Sequence, residues 1–164
     1  MGCSVTDSPL LFLYNYSDVE KGRNKVFVSE LTIVPKYFEF DMMGIIYHAH
    51  YLGWFEAGRT KLIEDLGFKY FDMEQAGYIS PVQEMKIEYK RGIRYGEEVL
   101  LRTWIKENGG VKTEYSYEVL NGEGTICVTG ASSHYVVRRD DFKPMQFKKV
   151  FPDWYTAFDR AKAK

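Results

Sequence analysis

Residues 111 to 119 alternate between apolar and polar side chains without interruption. A period of two sends successive side chains to opposite faces of a strand, so that one face packs on a core and the other meets water. Glycine-containing turns flank this run at residues 108 to 110 and 121 to 124. Three further runs show the same alternation, at residues 84 to 90, 99 to 106 and 125 to 137. Runs joined by short turns pair as hairpins, which predicts four antiparallel strands in this half of the chain.

A segment with helical spacing precedes these strands, from about His48 to Leu66. Its apolar stripe consists of Tyr51, Phe55, Leu62 and Leu66. Gly67 is a natural stop for such a helix. Gly53 and Gly58 would weaken an isolated helix, so their presence predicts that another element, such as a wrapped sheet, packs very close to its backbone.

The order of the elements predicts an α+β domain with a helix packed on a sheet. A first strand is expected within residues 26 to 36, which are rich in Val, Ile and Thr, and a short second helix within residues 71 to 75. With 164 residues the chain is long enough for one domain. We expect an irregular lead-in over residues 1–25, the domain over 26–140, and a C-terminal extension with a short helix over 141–164.

Composition argues against several classes of function. The net charge is −1, whereas binding to nucleic acid requires a basic excess on one face, so no nucleic-acid partner is expected. Two widely separated cysteines, Cys3 and Cys127, form neither a disulfide framework nor a metal-binding spacing, which favours a reducing, cytoplasmic setting. No apolar run approaches the ~18 residues that would cross a bilayer, so no membrane span is expected.

The most apolar neighbourhood of the chain contains an acid, Asp41, between residues such as Met42, Met43 and Ile45. Partial desolvation there would make the carboxylate more basic and keep it reactive. The predicted helix begins seven residues later, and its first N–H groups favour an oxygen that gains negative charge. This pairing suits acyl transfer, although an Asp shortly before a helix can equally be a turn or capping residue.

The two histidines in this stretch do not form a metal pair on a helix. Side chains two residues apart, such as His48 and His50, point about 200° away from each other. On a strand they could share an ion, but no third ligand is evident in the sequence, so no metal site is predicted.

The run from Asp41 to Leu52, followed by Trp54-Phe55-Glu56 and Arg59, resembles the hotdog-fold acyl-CoA thioesterases. The similar groups are the 4-hydroxybenzoyl-CoA thioesterase family and the acyl-CoA thioesterases associated with the Tol–Pal system. The resemblance implies a five-stranded antiparallel sheet wrapped around one long central helix, an acyl-CoA substrate and no cofactor. It also implies a homodimer or homotetramer with sites at the subunit interface.

Carried to this sequence, the resemblance makes Asp41 the catalytic nucleophile or general base. The backbone N–H of His48 would polarise the thioester carbonyl, and its side chain could orient water or substrate. The substrate-binding residues it implies are Gly44, Ile45, Tyr47, Tyr51, Lys90, Arg91 and Arg94. A second basic cluster, Arg138 and Arg139, could also meet the phosphates of CoA, and Glu56 is expected to pair with Arg59.

Two other functions are compatible with the same residues. One is a hotdog domain that binds acyl-CoA without hydrolysing it. The other is a hydratase or dehydratase, which ranks last because the His-plus-acid signature of those enzymes is not visible. The departures from the family pattern, Phe38-Glu39-Phe40 and the pair Met42-Met43, predict a more apolar pocket.

Overall fold

The computed structural model of the protein describes residues 26–163, so the predicted lead-in over residues 1–25 lies outside the described part. The strands are β1 (Val28–Ile33), β2 (Tyr78–Ile79), β3 (Val82–Tyr89), β4 (Val99–Asn108), β5 (Lys112–Asn121), β6 (Ile126–Tyr135) and β7 (Val137–Arg138). The helices are a 3₁₀ turn (Tyr37–Glu39), α1 (His50–Asp65), α2 (Tyr70–Gln75), α3 (Phe147–Val150) and α4 (Pro152–Ala161).

Five strands form one antiparallel sheet in the order β1-β4-β5-β6-β3, and β2 pairs with β7 in a separate two-stranded ladder. In β5 the side chains of Tyr115, Tyr117 and Val119 face the core, while Ser116 and Glu118 face outward. Helix α1 lies across the inner face. The predicted hotdog architecture, a five-stranded antiparallel sheet around one long helix, is confirmed. The small β2–β7 ladder was not predicted, because two-residue strands carry no readable period.

Helix α1 packs tightly on the sheet through its small and aromatic residues. Phe55 is fully buried and stacks on Tyr117 with ring centroids 4.2 Å apart. A Cβ atom at Gly58 would lie 2.4 Å from Thr103 Oγ1, so the close approach predicted from this glycine is confirmed. The same expectation is wrong for Gly53, where an added Cβ would meet no atom within 4 Å.

The helix begins at His50, two residues later than predicted. The reason is local, because the Tyr47 carbonyl accepts a hydrogen bond from the His50 N–H at 3.0 Å and closes a turn before the helix. Its C-terminal end agrees with the prediction, since Gly67 follows with a φ of 90°.

The C-terminal residues complete the same core. Trp154 and Phe158 of α4 are buried. The Phe27 N–H donates to the Ala161 carbonyl at 3.0 Å, and the Ala163 N–H donates to the Ile105 carbonyl at 3.0 Å. Helix α4 is therefore bonded both to the segment before β1 and to β4. None of the helices within residues 26–163 has the length and apolarity needed to cross a membrane.

Candidate active site

Asp41 lies in a tight turn between Phe40 and Ile46, which form an isolated antiparallel bridge. The Asp41 N–H donates to the Ile45 carbonyl at 3.0 Å, and the Gly44 N–H donates to the Asp41 carbonyl at 2.9 Å. Gly44 has a φ of 71°, a conformation that glycine adopts without strain. The Met43 N–H donates to Asp41 Oδ1 at 2.8 Å, which orients the carboxylate. Gly44 therefore acts on the shape of the turn, and Asp41 is itself a turn residue.

The turn that precedes α1 carries His48. Two hydrogen bonds hold this turn in place. The Tyr47 N–H donates to the Glu39 carbonyl at 2.8 Å, and Tyr89 Oη donates to the His48 carbonyl at 3.1 Å. Among the described residues, the N–H groups of His48 and Ala49 donate to no protein acceptor. The N–H of His48 is thus available to a ligand, although it belongs to the preceding turn and not to the helix.

An open cleft of about 270 Å³ brings these two turns together with the end of β3. Six of the predicted site residues line it: Asp41, Ile45, His48, Tyr51, Lys90 and Arg91. Four lining residues were not predicted: Met43, Ile46, Tyr89 and Gly92. Tyr89 was missed because the strand pattern assigned it only to the alternation of β3.

Three predicted substrate-binding residues are not among those that line the cleft. Gly44 shapes the turn, and Tyr47 lies beside the cleft with its ring centroid 4.3 Å from that of His48. Arg94 is anchored through its backbone, which bridges to Ile45, and its side chain is exposed. The second basic cluster, Arg138 and Arg139, belongs to β7 and the residue after it, and neither lines the cleft.

The basic side of the cleft follows directly from the end of β3. The N–H groups of Lys90 and Arg91 both donate to the Cys127 carbonyl, at 2.8 and 2.9 Å. Their side chains form long ion pairs at the surface, Lys90 with Glu88 at 3.6 Å and Arg91 with Glu123 at 3.8 Å. Exposed pairs of this length contribute little stability, so both cations are available to an anionic ligand.

Two tyrosines give the cleft an aromatic wall. The rings of Tyr51 and Tyr89 meet edge to face, with centroids 5.6 Å apart. Burial raises the pKa of Tyr51 far above its ordinary value of 10, and burial also raises the pKa of Tyr89. Both hydroxyls therefore stay protonated at neutral pH, and that of Tyr89 donates to the His48 carbonyl.

The apolar neighbours of Asp41 do not bury it within one chain. Asp41 is half-buried, while the side chains of Met42 and Met43 are 103% and 73% exposed. The expectation that these methionines desolvate the carboxylate is therefore not met within the described part of one chain. A turn that carries two exposed methionines is a surface that a second molecule could cover.

The buried carboxylate of Glu39 connects two of the elements that surround the site. Its Oε1 accepts a hydrogen bond from Trp54 Nε1 at 2.8 Å, and its Oε2 accepts one from the Lys36 N–H at 2.6 Å. Glu39 thereby joins the 3₁₀ turn to the first turns of α1. Sequence reasoning registered Glu39 only as a departure from the family pattern.

The structure also describes the Glu56–Arg59 pair and the surroundings of the two histidines. Glu56 and Arg59 form the expected ion pair on α1. Over residues 26–163 no group of three or more His, Cys, Asp and Glu side chains is arranged to hold a metal ion, and His48 and His50 acquire no third ligand.

Comparison with known proteins assigns the family. The family model of the Thioesterase-like superfamily matches residues 37–155. This chain belongs to that superfamily. The prediction of a thioesterase is thereby confirmed at the level of the family, and the turn with Asp41, the cleft and the whole of α1 fall within the matched residues.

Relatives of this thioesterase-like chain cover most of its length. A Bacillus subtilis protein named "Putative acyl-CoA thioesterase YneP" is 50% identical over 82% of this chain and 98% of its own. A solved DHNA-CoA thioesterase from Staphylococcus aureus is 39% identical, has a TM-score of 0.79 and is matched over 81% of this chain and 89% of its own. A second S. aureus structure, in complex with CoA, shares the fold alone, with 12% identity and a TM-score of 0.74 over 84% of this chain and 87% of its own.

Proposed function

We propose that this protein hydrolyses acyl-CoA thioesters to the free acid and CoA, with Asp41 as the catalytic carboxylate. The observation that carries the proposal is the shared cleft, in which the Asp41 carboxylate, the unbonded N–H of His48 and two cations, Lys90 and Arg91, lie together. The names of the 50% and 39% identical relatives support the same reaction.

The chemistry suits these groups. The N–H of His48 would donate to the thioester oxygen as negative charge develops on it. Asp41 would either attack the carbonyl carbon and expel the thiolate, which gives a mixed anhydride that water then hydrolyses, or remove a proton from the water that attacks the thioester. A thiol with a pKa near ~8.5 leaves readily as thiolate, so the reaction does not depend on a strong general acid. Lys90 and Arg91 would bind phosphate groups of CoA at the mouth of the cleft.

We propose that the acyl group is aromatic. Tyr51 and Tyr89 form an aromatic wall on the cleft, and edge-to-face and stacked contacts favour a planar ring between or against them. The S. aureus relative that is 39% identical to this chain is a DHNA-CoA thioesterase, which supports the proposal of an aromatic acyl group. Rates with aromatic acyl-CoA substrates are expected to exceed those with straight-chain substrates of similar size, in a panel read by release of free CoA.

We also propose that the working form is a homodimer or a larger homo-oligomer, acting in the cytoplasm. Strand β3 is an edge of the sheet next to the cleft, and an exposed edge strand is a template for pairing with another chain. A second copy would cover Met42 and Met43 and complete the apolar slot. Cys127 is a buried free thiol, which is compatible with a reducing compartment.

The decisive experiment compares the wild type with Asp41→Asn. The substitution keeps the shape of the side chain but removes the carboxylate, so kcat should fall at least ~100-fold with the best substrate of the panel. Asp140→Asn, which changes an exposed acid outside the cleft, should leave kcat unchanged. Equal rates for wild type and Asp41→Asn would contradict the assignment of Asp41.

A non-catalytic acyl-CoA-binding domain would give a different pattern. In that case acyl-CoA would raise the melting temperature of the wild type while no CoA is released over hours. If hydrolysis is observed, a single turnover in ¹⁸O water separates the two routes, because label in Asp41 supports attack by the carboxylate.

A further inference from the structure

A second, smaller cavity lies between the C-terminal half of α1 and the sheet, away from Asp41. It has a volume of about 50 Å³, and its lining includes Glu56, Arg59, Thr60, His134, Trp154 and Phe158. Arg59 is nine residues after His50, which places it ~13 Å further along the helix axis than the first turn of α1. Glu56 and Thr60 are exposed, so the cavity reaches the surface beside them.

A buried chain of hydrogen bonds leads from Arg59 into the sheet. Arg59 Nη1 lies 2.9 Å from Tyr117 Oη, which lies 2.5 Å from Ser132 Oγ. Ser132 Oγ lies 2.8 Å from His134 Nε2, and His134 Nδ1 lies 3.3 Å from the Ser80 carbonyl. Each of these four side chains is at least nine-tenths buried.

The two ends and the neutral state of His134 together set the direction of every bond. A guanidinium can only donate and a carbonyl can only accept, so His134 carries a proton on Nδ1. Because burial lowers the pKa of His134 to about 4, its ring is neutral at pH 7 and accepts at Nε2 from the Ser132 hydroxyl. Ser132 in turn accepts from Tyr117, which accepts from Arg59. Arg59 is therefore the one cation in this series of hydrogen bonds. The buried end of the series, at His134, provides no carboxylate.

The guanidinium of Arg59 retains N–H donors that these hydrogen bonds do not use. Its bonds to Tyr117 and Glu56 engage two of the five N–H donors of the guanidinium. Its side chain is 7% exposed, while that of its counter-ion Glu56 is 65% exposed. The charge of Glu56 is therefore largely solvated, and that side chain can turn to water without leaving a buried carboxylate.

The size and lining of the cavity limit what could meet Arg59. A cavity of ~150 Å³ holds benzene, so one of 50 Å³ holds an anion of two to four heavy atoms and no aromatic acid. The planar fork of a guanidinium matches the two oxygens of a carboxylate. Trp154 and Phe158 offer apolar contact to a methyl group.

We propose that this cavity binds a small aliphatic carboxylate of acetate size on Arg59, in exchange for the side chain of Glu56. The site is separate from the cleft of Asp41, and its occupancy does not require hydrolysis of a thioester. The two proposals can therefore fail independently.

The three tryptophans of the chain make the test specific to the site. Trp154 lines the cavity, Trp54 lies behind the cleft of Asp41, and Trp104 lies on β4 and lines neither space. In ¹H–¹⁵N spectra of the full chain, titration with sodium acetate at constant ionic strength should shift the Trp154 indole signal saturably. Acetamide, which has the same shape without the charge, should not shift it.

Variants then test the exchange with Glu56. Glu56→Gln removes the competing carboxylate and should bind acetate more tightly, by about tenfold if one charge-assisted pair is replaced. Glu64→Gln is the matched control, because Glu64 is exposed on the same helix outside the cavity, and it should bind as the wild type does. Arg59→Met should bind acetate at least about tenfold more weakly.

Several outcomes would overturn the proposal. They are a Trp154 shift that acetamide reproduces, a shift confined to Trp54, and acetate binding by Glu56→Gln that is no tighter than that of the wild type. The last test does not depend on the folding of Arg59→Met. Asp41→Asn should bind acetate like the wild type, whatever its effect on hydrolysis.

Discussion

His134 is a buried base whose ring is neutral in the folded protein. Burial, with a smaller contribution from the charge of Arg59, lowers its pKa from 6.5 to about 4. The unfolded chain binds a proton near pH 6.5 that the folded chain does not bind until about pH 4. The stabilisation from this group is therefore present above pH 6.5 and is lost as the pH falls to 4, by up to about 3 kcal/mol.

The measurement is the free energy of unfolding in urea at pH 7.5, 5.5 and 4.5. Other groups titrate in the same range, so the comparison is with His134→Gln, whose amide can accept from Ser132 and does not titrate. The wild type should lose about 2–3 kcal/mol more than His134→Gln between pH 7.5 and 4.5. Parallel losses in the two proteins would show that His134 is not the source.

Among single residues, the sequence could place in a common candidate site those that lie in a local motif. Asp41, His48 and Tyr51 lie in one continuous stretch, and Lys90 and Arg91 follow a readable strand, so the resemblance assigned them to a common site. Tyr117, Ser132 and His134 could not be grouped in this way. They meet Arg59 only because β5 and β6 pair in one register beneath α1, and a period-two pattern does not distinguish a buried polar residue from a buried apolar one.

The two glycines of α1 allow a matched test of how the helix packs. Gly58→Ala should lower the free energy of unfolding by about 1–3 kcal/mol, because the new Cβ meets Thr103 and Leu101 in a packed core. Gly53→Ala should raise it by up to about 1 kcal/mol, since the position is open and alanine favours helix. Chemical unfolding of both variants measures the two effects. Equal and stabilising effects would contradict the close contact at Gly58.

The end of β3 allows a second test of the proposed function. Arg91→Gln should raise KM for an acyl-CoA about fivefold, the effect of ~1 kcal/mol at an exposed charge. It should leave kcat/KM unchanged for the N-acetylcysteamine thioester of the same acid, which carries no phosphate. Arg139→Gln, an exposed cation outside the cleft, serves as the control. An equal effect of Arg91→Gln on both substrates would exclude a phosphate contact.

Elements were predicted well where their periods were long. The alternation of apolar and polar residues predicted four of the five main strands, and helical spacing predicted α1. Except for the six-residue β1, the five main strands and α1 all extend over eight or more residues. The start of α1 was placed two residues early, because the turn closed by Tyr47 and His50 contains residues that also fit a helix. The hairpin turns predicted that β4 pairs with β5 and β5 with β6. The positions of β1 beside β4 and of β3 beside β6 could not be read, since they depend on which non-neighbouring runs pair in three dimensions.

At the scale of the molecule, residues 26–163 present an apolar surface beside the cleft that no other described residue covers. Tyr37, Phe38, Met42 and Tyr95 are all more than two-thirds exposed, and the edge strand β3 lies next to the cleft. Monomers rarely leave such patches uncovered. Multi-angle light scattering should therefore give a molar mass of two chains or more.

Met42→Lys places a charge in this patch and should lower both the oligomeric mass and the activity with acyl-CoA. Val111→Lys changes an exposed apolar residue in the turn between β4 and β5 and should lower neither. A monomeric wild type with full activity would show that one chain is sufficient for the site.

The bond from Phe27 to Ala161 joins residues 134 positions apart, and α4 also forms one wall of the cavity at Arg59. During synthesis the sheet and α1 can collapse as soon as β6 has emerged, but this wall cannot form until α4 has left the ribosome. The nascent chain therefore passes through a stage in which Tyr115, Phe147 and the guanidinium of Arg59 face an open end of the sheet. The time taken to translate and release α4 then sets how long that apolar surface stays exposed.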